Sequence, residues 1–174
     1  MKVIVTPYQA QWQALFNAEK ALIEPILGAN AVAIHHIGST SVEGLAAKPV
    51  IDFLLEVKSL SQLDAQSARF TALGYEVMGE LGITGRRYFR KGRESRTHHV
   101  HGFEQGDPHI DRHLAFRDYL RTHPDVCAQY QTLKFELAAN HKDDIDAYCA
   151  GKDSFIKQHE QLALAWRFAL AAKR

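Results

Sequence analysis

The segment Val50-Ile-Asp-Phe-Leu-Leu-Glu-Val57 constrains the fold more than any other in the chain. Its polarity alternates as in a half-buried strand, so Ile51, Phe53, Leu55 and Val57 are expected to face a core while Asp52, Leu54 and Glu56 share the opposite face. A carboxylate is therefore expected on the outer face of a strand, close to where that strand begins. Upstream, Ala31 to Ile37 reads as a second strand that delivers its end to Gly38-Ser39-Thr40-Ser41. Thr40 and Glu43 stand at the spacing of a capping box, which predicts strand, tight turn and short helix. Trp12, Leu15, Phe16, Leu22, Ile23 and Ile26 lay an apolar stripe along an earlier helix, ended by Gly28.

A helix over 61–73, stopped by Gly74, is expected before strand-like pieces at 75–77, 86–91 and 97–103. From Asp107-Pro108 onward the pattern turns helical, with helices over 108–121, 125–140 and 144–171 and with Pro124 and Asp143-Asp144 as start signals. The expectation is one α/β (α+β) domain over 1–174. Its mixed sheet, flanked by helices, occupies about 1–105, and a helical part, about 106–174, packs on it, since no repeat or flexible linker separates the two.

Charge narrows the function. Lys and Arg number 21 against 20 Asp and Glu, for a formal charge of +1, which argues against general nucleic-acid or membrane-surface binding. The first residues, MKVIVTPYQAQW, lack a long apolar stretch with a small-residue cleavage site, and no run of about 18 apolar residues occurs anywhere. Cys127 and Cys149 form no CxxC pair and read as reduced thiols. A cytoplasmic protein is expected, with any electrostatic function confined to a local site.

Three constellations can supply such a site. The Gly38-Ser39 turn at a helix start offers unpaired backbone N–H groups to an anion, with Thr40 and Lys48 as further contacts; a plain helix cap is the alternative. His99 and His101 share one face of a strand and can join Asp52 as metal ligands, or they can hydrogen-bond a phosphate or one another. Arg86, Arg87, Arg90 and Lys91 concentrate positive charge suited to phosphate, or simply line a solvated strand edge. Arg112, His113, Arg117, Asp118 and Tyr119 read mainly as a network within one helix, and Lys134, Tyr148 and Lys152 rank last, being as readily surface residues.

The stretch His36-Ile-Gly-Ser-Thr-Ser-Val-Glu-Gly-Leu-Ala-Ala-Lys-Pro-Val-Ile-Asp52 resembles the signature of the GrpB family, as do Gly85-Arg-Arg-Tyr-Phe-Arg-Lys91, His98-His-Val-His101 and Arg112-His-Leu-Ala-Phe-Arg-Asp-Tyr-Leu120. The resemblance spans nearly the whole chain. It implies a nucleotidyltransferase-like fold related to the DNA polymerase beta superfamily, in which a Gly-Ser turn holds nucleotide phosphates and strand carboxylates hold divalent ions. Carried onto this chain, it implies a phosphate or nucleotide site at Gly38, Ser39, Thr40, Lys48, Arg86 and Arg87, with Asp52 as the catalytic carboxylate. The cofactor expected is a divalent metal, Mg²⁺ or Mn²⁺ ahead of Zn²⁺, on Asp52 with His99 and His101. Glu43 stands where the family commonly has proline.

A larger departure is the triplet Asp52-Phe53-Leu54, where active members of the superfamily carry Asp-x-Asp. Glu56 does not replace the missing carboxylate, because four residues along a strand separate the two Cα atoms by about 13 Å whereas paired catalytic ions lie only ~3.5–4 Å apart. Two functions are therefore expected in competition. One is a nucleotide-binding protein that transfers a nucleotidyl group to a small acceptor; the other is a catalytically inactive module that binds a nucleotide or another small phosphorylated ligand.

Overall fold

The computed structural model describes residues 2–174 and places the alternating segment as strand β2 (Ile51–Val57) inside a five-stranded mixed sheet. The remaining strands are β1 (Ala31–Ile37), β3 (Tyr75–Val77), β4 (Arg87–Lys91) and β5 (His98–Glu104), in the order β1-β2-β5-β4-β3. Only the β2-β5 pair is parallel, and its register sets Asp52 beside His99 and Leu54 beside His101. A parallel pair needs a long crossover, supplied here by α2 (Leu60–Asp64), α3 (Ser67–Ala72) and the antiparallel pair β3-β4.

Two local expectations are corrected. The single helix over 61–73 is broken in two, and the Ser67 hydroxyl donates to the Asp64 carbonyl at 2.7 Å across the break, offering the backbone a partner outside the helical ladder. The capping box does not form either. Residues Ser39–Ser41 make one 3₁₀ turn and Val42 is already extended. The Thr40 side chain turns inward between His36 Nε2, at 2.9 Å, and the Val50 carbonyl, at 3.4 Å, so it braces the turn against both strands.

Both faces of the sheet are covered. Helix α1 (Gln11–Leu27) and α3 close one face over Trp12, Phe16, Ile23, Phe53, Phe70, Phe89 and Val100. Helix α4 (Pro108–Thr122) closes the other, where Ile110 and Leu114 meet Ile37, Leu54 and Phe103. Leu54 is thus fully buried, at 0% exposure, rather than on an outer face. Strands with helices on both sides lose polar alternation at their centres, and here the polar residues Asp52 and Glu56 survive toward the strand ends.

Helices α5 (Pro124–Asn140) and α6 (Ile145–Ala172) pack with α4 around Ala115, Tyr119, Leu120, Tyr130 and Ala163, and this second core reaches back to Val42 and Leu45 behind the Gly38 turn. Start signals read from the sequence are realised as caps, with Asp107 accepting from the His109 N–H and Asp144 from the Ala147 N–H. No helix among the described residues is long and apolar enough to cross a membrane.

Candidate anion-binding site

Gly38 and Asp52 meet where β1 ends and β2 begins. The glycine adopts φ +72°, and a Cβ added there would stand 2.5 Å from Asp52 Oδ2, so both its backbone conformation and the nearby carboxylate require glycine. From α4, Arg121 donates to the Ser41 carbonyl at 3.0 and 2.7 Å and Arg117 to the His36 carbonyl at 3.2 Å. The helical layer thereby holds the turn in place.

On one side of the turn, Asp52 Oδ1 lies 3.4 Å from His99 Nδ1 and 3.7 Å from His101 Nε2. Burial alone would raise the Asp52 pKa, yet the polar contacts and charge of the neighbouring His101 and His99 outweigh it and hold the carboxyl well below the usual carboxylate range. Burial pushes His101 down, and its Nδ1 is buried without a partner. The structure therefore brings Asp52, His99 and His101 together. Among the described residues, however, no group of three or more His, Cys, Asp and Glu is placed to hold a metal ion. Leu54 fills the second carboxylate's position with hydrocarbon, and Glu56 is bonded to His35 at 2.7 Å, so the residues present do not fit a two-ion centre.

On the other side, α5 and α6 deliver residues that the sequence ranked last. Lys134 is only 2% exposed, donates to the Ala46 carbonyl at 2.8 Å and has its ammonium 4.7 Å from the Tyr130 ring centroid. The Tyr130 hydroxyl lies close enough to the Ser39 side chain to feel it, though burial dominates and pushes the phenol pKa up. The Lys48 and Lys152 ammonium groups lie 5.4 and 4.5 Å from the centroid of the Tyr148 ring, contacts worth about 0.5–2 kcal/mol each. Tyr148 is fully buried and its hydroxyl has no partner.

The electrostatics of this cluster are unbalanced. Burial, then repulsion from Lys152 and Lys48, pushes Lys134 well below the ordinary lysine pKa, and burial followed by repulsion from Lys48 lowers Lys152. Asp52 acts on both in the opposite direction but does not cancel these effects. The lysine ion pairs found among the described residues belong to Lys20, Lys91 and Lys157 instead. Lys48, Lys134 and Lys152 thus gather around Tyr148 and Tyr130 without an ion-paired carboxylate.

The basic segment splits. Arg86 donates to the Glu80 and Leu81 carbonyls at 3.2 and 2.9 Å, lies over the Tyr88 ring at 4.8 Å, and is near enough to lower the His101 pKa, so it stands at the rim of the Asp52 side. Arg87 points from the opposite sheet face and grips Asp64 at 2.7 and 3.2 Å. The expectation that Arg87 faces the phosphate is corrected, because alternation along β4 puts Tyr88 and Arg90, not Arg87, on the face of His99 and His101. A sequence signal for the missed residues exists: Tyr130 and Lys134 are four apart in α5, as are Tyr148 and Lys152 in α6, and that spacing stacks each pair on one helix face.

A five-stranded mixed sheet under a three-helix layer, with a Gly-Ser turn between a paired carboxylate and an uncompensated lysine-tyrosine cluster, defines the class. A family model described as GrpB protein matches residues 2–162, and the chain belongs to the GrpB family. Its relatives include UPF0157 protein YqkA of Bacillus subtilis, 49% identical over 95% of this chain and 48% of the relative, so the chain spans about half the length of that protein. Glutamate-rich protein GrpB of Alkalihalophilus pseudofirmus is 33% identical over 90% of this chain and 93% of its own length. The crystal structure of conserved protein GrpB from Enterococcus faecalis superposes with a TM-score of 0.92 at 48% identity, covering 95% of this chain and 99% of that one.

Proposed function

We propose that this protein binds a small phosphorylated ligand, a nucleotide or another phosphate ester, behind the Gly38-Ser39 turn and does not itself perform two-ion nucleotidyl transfer. The observation that carries the reading is the convergence of Lys48, Lys134 and Lys152 on Tyr148 and Tyr130 without a bonded carboxylate. Buried like charges destabilise one another, and a dianion between them relieves the repulsion and supplies acceptors for Ser39, for the unpartnered Tyr148 hydroxyl and for the ammonium groups. The ionised Asp52 repels an anion from the histidine side and confines it to the lysine side. Leu54 speaks against transfer, since the hydrocarbon at its position offers no ligand to a second ion.

Thermal unfolding and calorimetry with inorganic phosphate, pyrophosphate and nucleoside triphosphates test the reading. Saturating ligand at about 100 times its Kd stabilises the native state by ~2.7 kcal/mol. That gain is expected in the wild type and, at the same ligand concentration, to fall to about 0.4–1.4 kcal/mol in Lys152→Met. No stabilisation by any of these anions at well above millimolar concentration sinks it. Brisk release of pyrophosphate from triphosphates with Mg²⁺ refutes the inactive-module reading.

A further inference from the structure

The ligand site does not end at the lysine cluster. Lys48 also lines a cleft of about 1430 Å³ on the edge of the molecule where β2 and β5 begin. The basic side chains of this cleft, Lys48, Arg90, Arg93 and Arg96 among them, outnumber its carboxylates, Glu76 and Glu94. Glu76 holds the two inner guanidinium groups side by side, accepting from Arg96 at 3.0 Å and from Arg90 at 3.4 Å. One carboxylate shared between two arginines leaves donors over.

The Arg90 Nε is a buried donor without a protein partner among the described residues, and buried donors in native proteins are otherwise satisfied by water or a ligand. Arg90 pairs in register with His99, which in turn neighbours Asp52, so the Arg90 side of this cleft lies on the same sheet face as that carboxylate. Lys48 is common to both places. It lowers the pKa values of Lys134 and Lys152 on one side and forms part of the cleft wall on the other.

We infer that the ligand is elongated and carries two separated anionic groups, one held by Lys48, Lys134 and Lys152, and the other by Arg90 and Arg96 in the adjoining cleft. This rests on the phosphate site proposed above and adds a second subsite that selects bis-anionic ligands over simple phosphate esters. A guanidinium pair suits a phosphate or carboxylate approached in its plane, and two subsites on one rigid sheet multiply affinity only for a spacer that spans them.

The test is calorimetric titration of the full chain with inorganic phosphate, a simple alkyl monophosphate, and α,ω-alkane bisphosphates of increasing length. One spacer length is expected to bind at least about tenfold more tightly than the monophosphate, with the gain absent from shorter members. In Arg96→Ala and Arg90→Gln that gain disappears, and the bisphosphate falls to monophosphate affinity. Bisphosphates no tighter than the monophosphate at any length overturn the second subsite, as does a gain that survives both arginine substitutions. Failure of the wild type to bind even inorganic phosphate refutes the lysine site instead, and with it the platform for the second. Native thermal unfolding of each variant keeps loss of affinity separate from loss of fold.

Discussion

Binding of a permanently dianionic probe such as sulfate should draw protons onto the protein. In the free protein, burial and mutual repulsion hold Lys134 and Lys152 below their ordinary pKa, so both release their protons at lower pH than exposed lysines do. An anion between them reverses the repulsion and raises both pKa values. The bound state therefore holds more protons than the free state, and affinity must fall as pH rises through the window between the free and bound pKa values, by about tenfold per pH unit for each lysine that titrates. Up to about two protons are taken up per sulfate. Titration near pH 9 in buffers of differing ionisation enthalpy measures that number, and at this pH His36, His98, His101 and His113, all shifted downward, are already neutral and add nothing. Lys152→Met should halve the uptake and, by removing one charge-assisted contact of ~1.5–3 kcal/mol, weaken sulfate about tenfold to hundredfold. Zero uptake or proton release in the wild type would falsify the argument, because it would mean that the lysines are fully charged before the anion arrives.

Three other perturbations separate structural from ligand-binding roles. Leu54→Asp puts a carboxylate against Phe103, Ile110 and Leu114 and should cost roughly 3–5 kcal/mol in denaturant titration without creating Mg²⁺-dependent turnover; wild-type stability in that variant would contradict the packing described. Tyr148→Phe deletes a buried hydroxyl without a partner, so the free protein should be unchanged or up to ~1 kcal/mol more stable while sulfate affinity falls; a marked loss of stability would show that the hydroxyl is already satisfied. His36 stacks on Phe16, and burial lowers its pKa from 6.5 to about 4. The unfolded chain therefore binds more protons across that window, and acidification through it should remove roughly 3 kcal/mol of stability. His36→Gln is expected to lose much less stability over the same pH range.

What the sequence disclosed followed the reach of local rules. The alternation of β2 was legible because period two is a local property. Leu54 lies on the face that alternation gives it, but its burial was not legible, because the cover comes from α4 some fifty residues onward. The capping box failed because the Thr40 hydroxyl serves the tertiary contact between His36 and Val50 instead of a helix N–H. Arg87 drew its role from Asp64 in the crossover, a partner that no spacing rule announces. Lys134, Tyr148 and Lys152 join Ser39 and Lys48 only through helix packing across more than eighty residues of chain. The paired Tyr-x-x-x-Lys spacing was the one local trace of that site.

A crystal structure of the protein grown with phosphate at neutral pH shows whether an anion occupies the lysine cluster. A tetrahedral anion is expected within hydrogen-bond distance of Ser39 Oγ, Tyr148 Oη and the Lys152 ammonium, with Lys48 closed over it. Phosphate bound away from this cluster, or the three lysines each paired to a carboxylate with no anion between them, would contradict it.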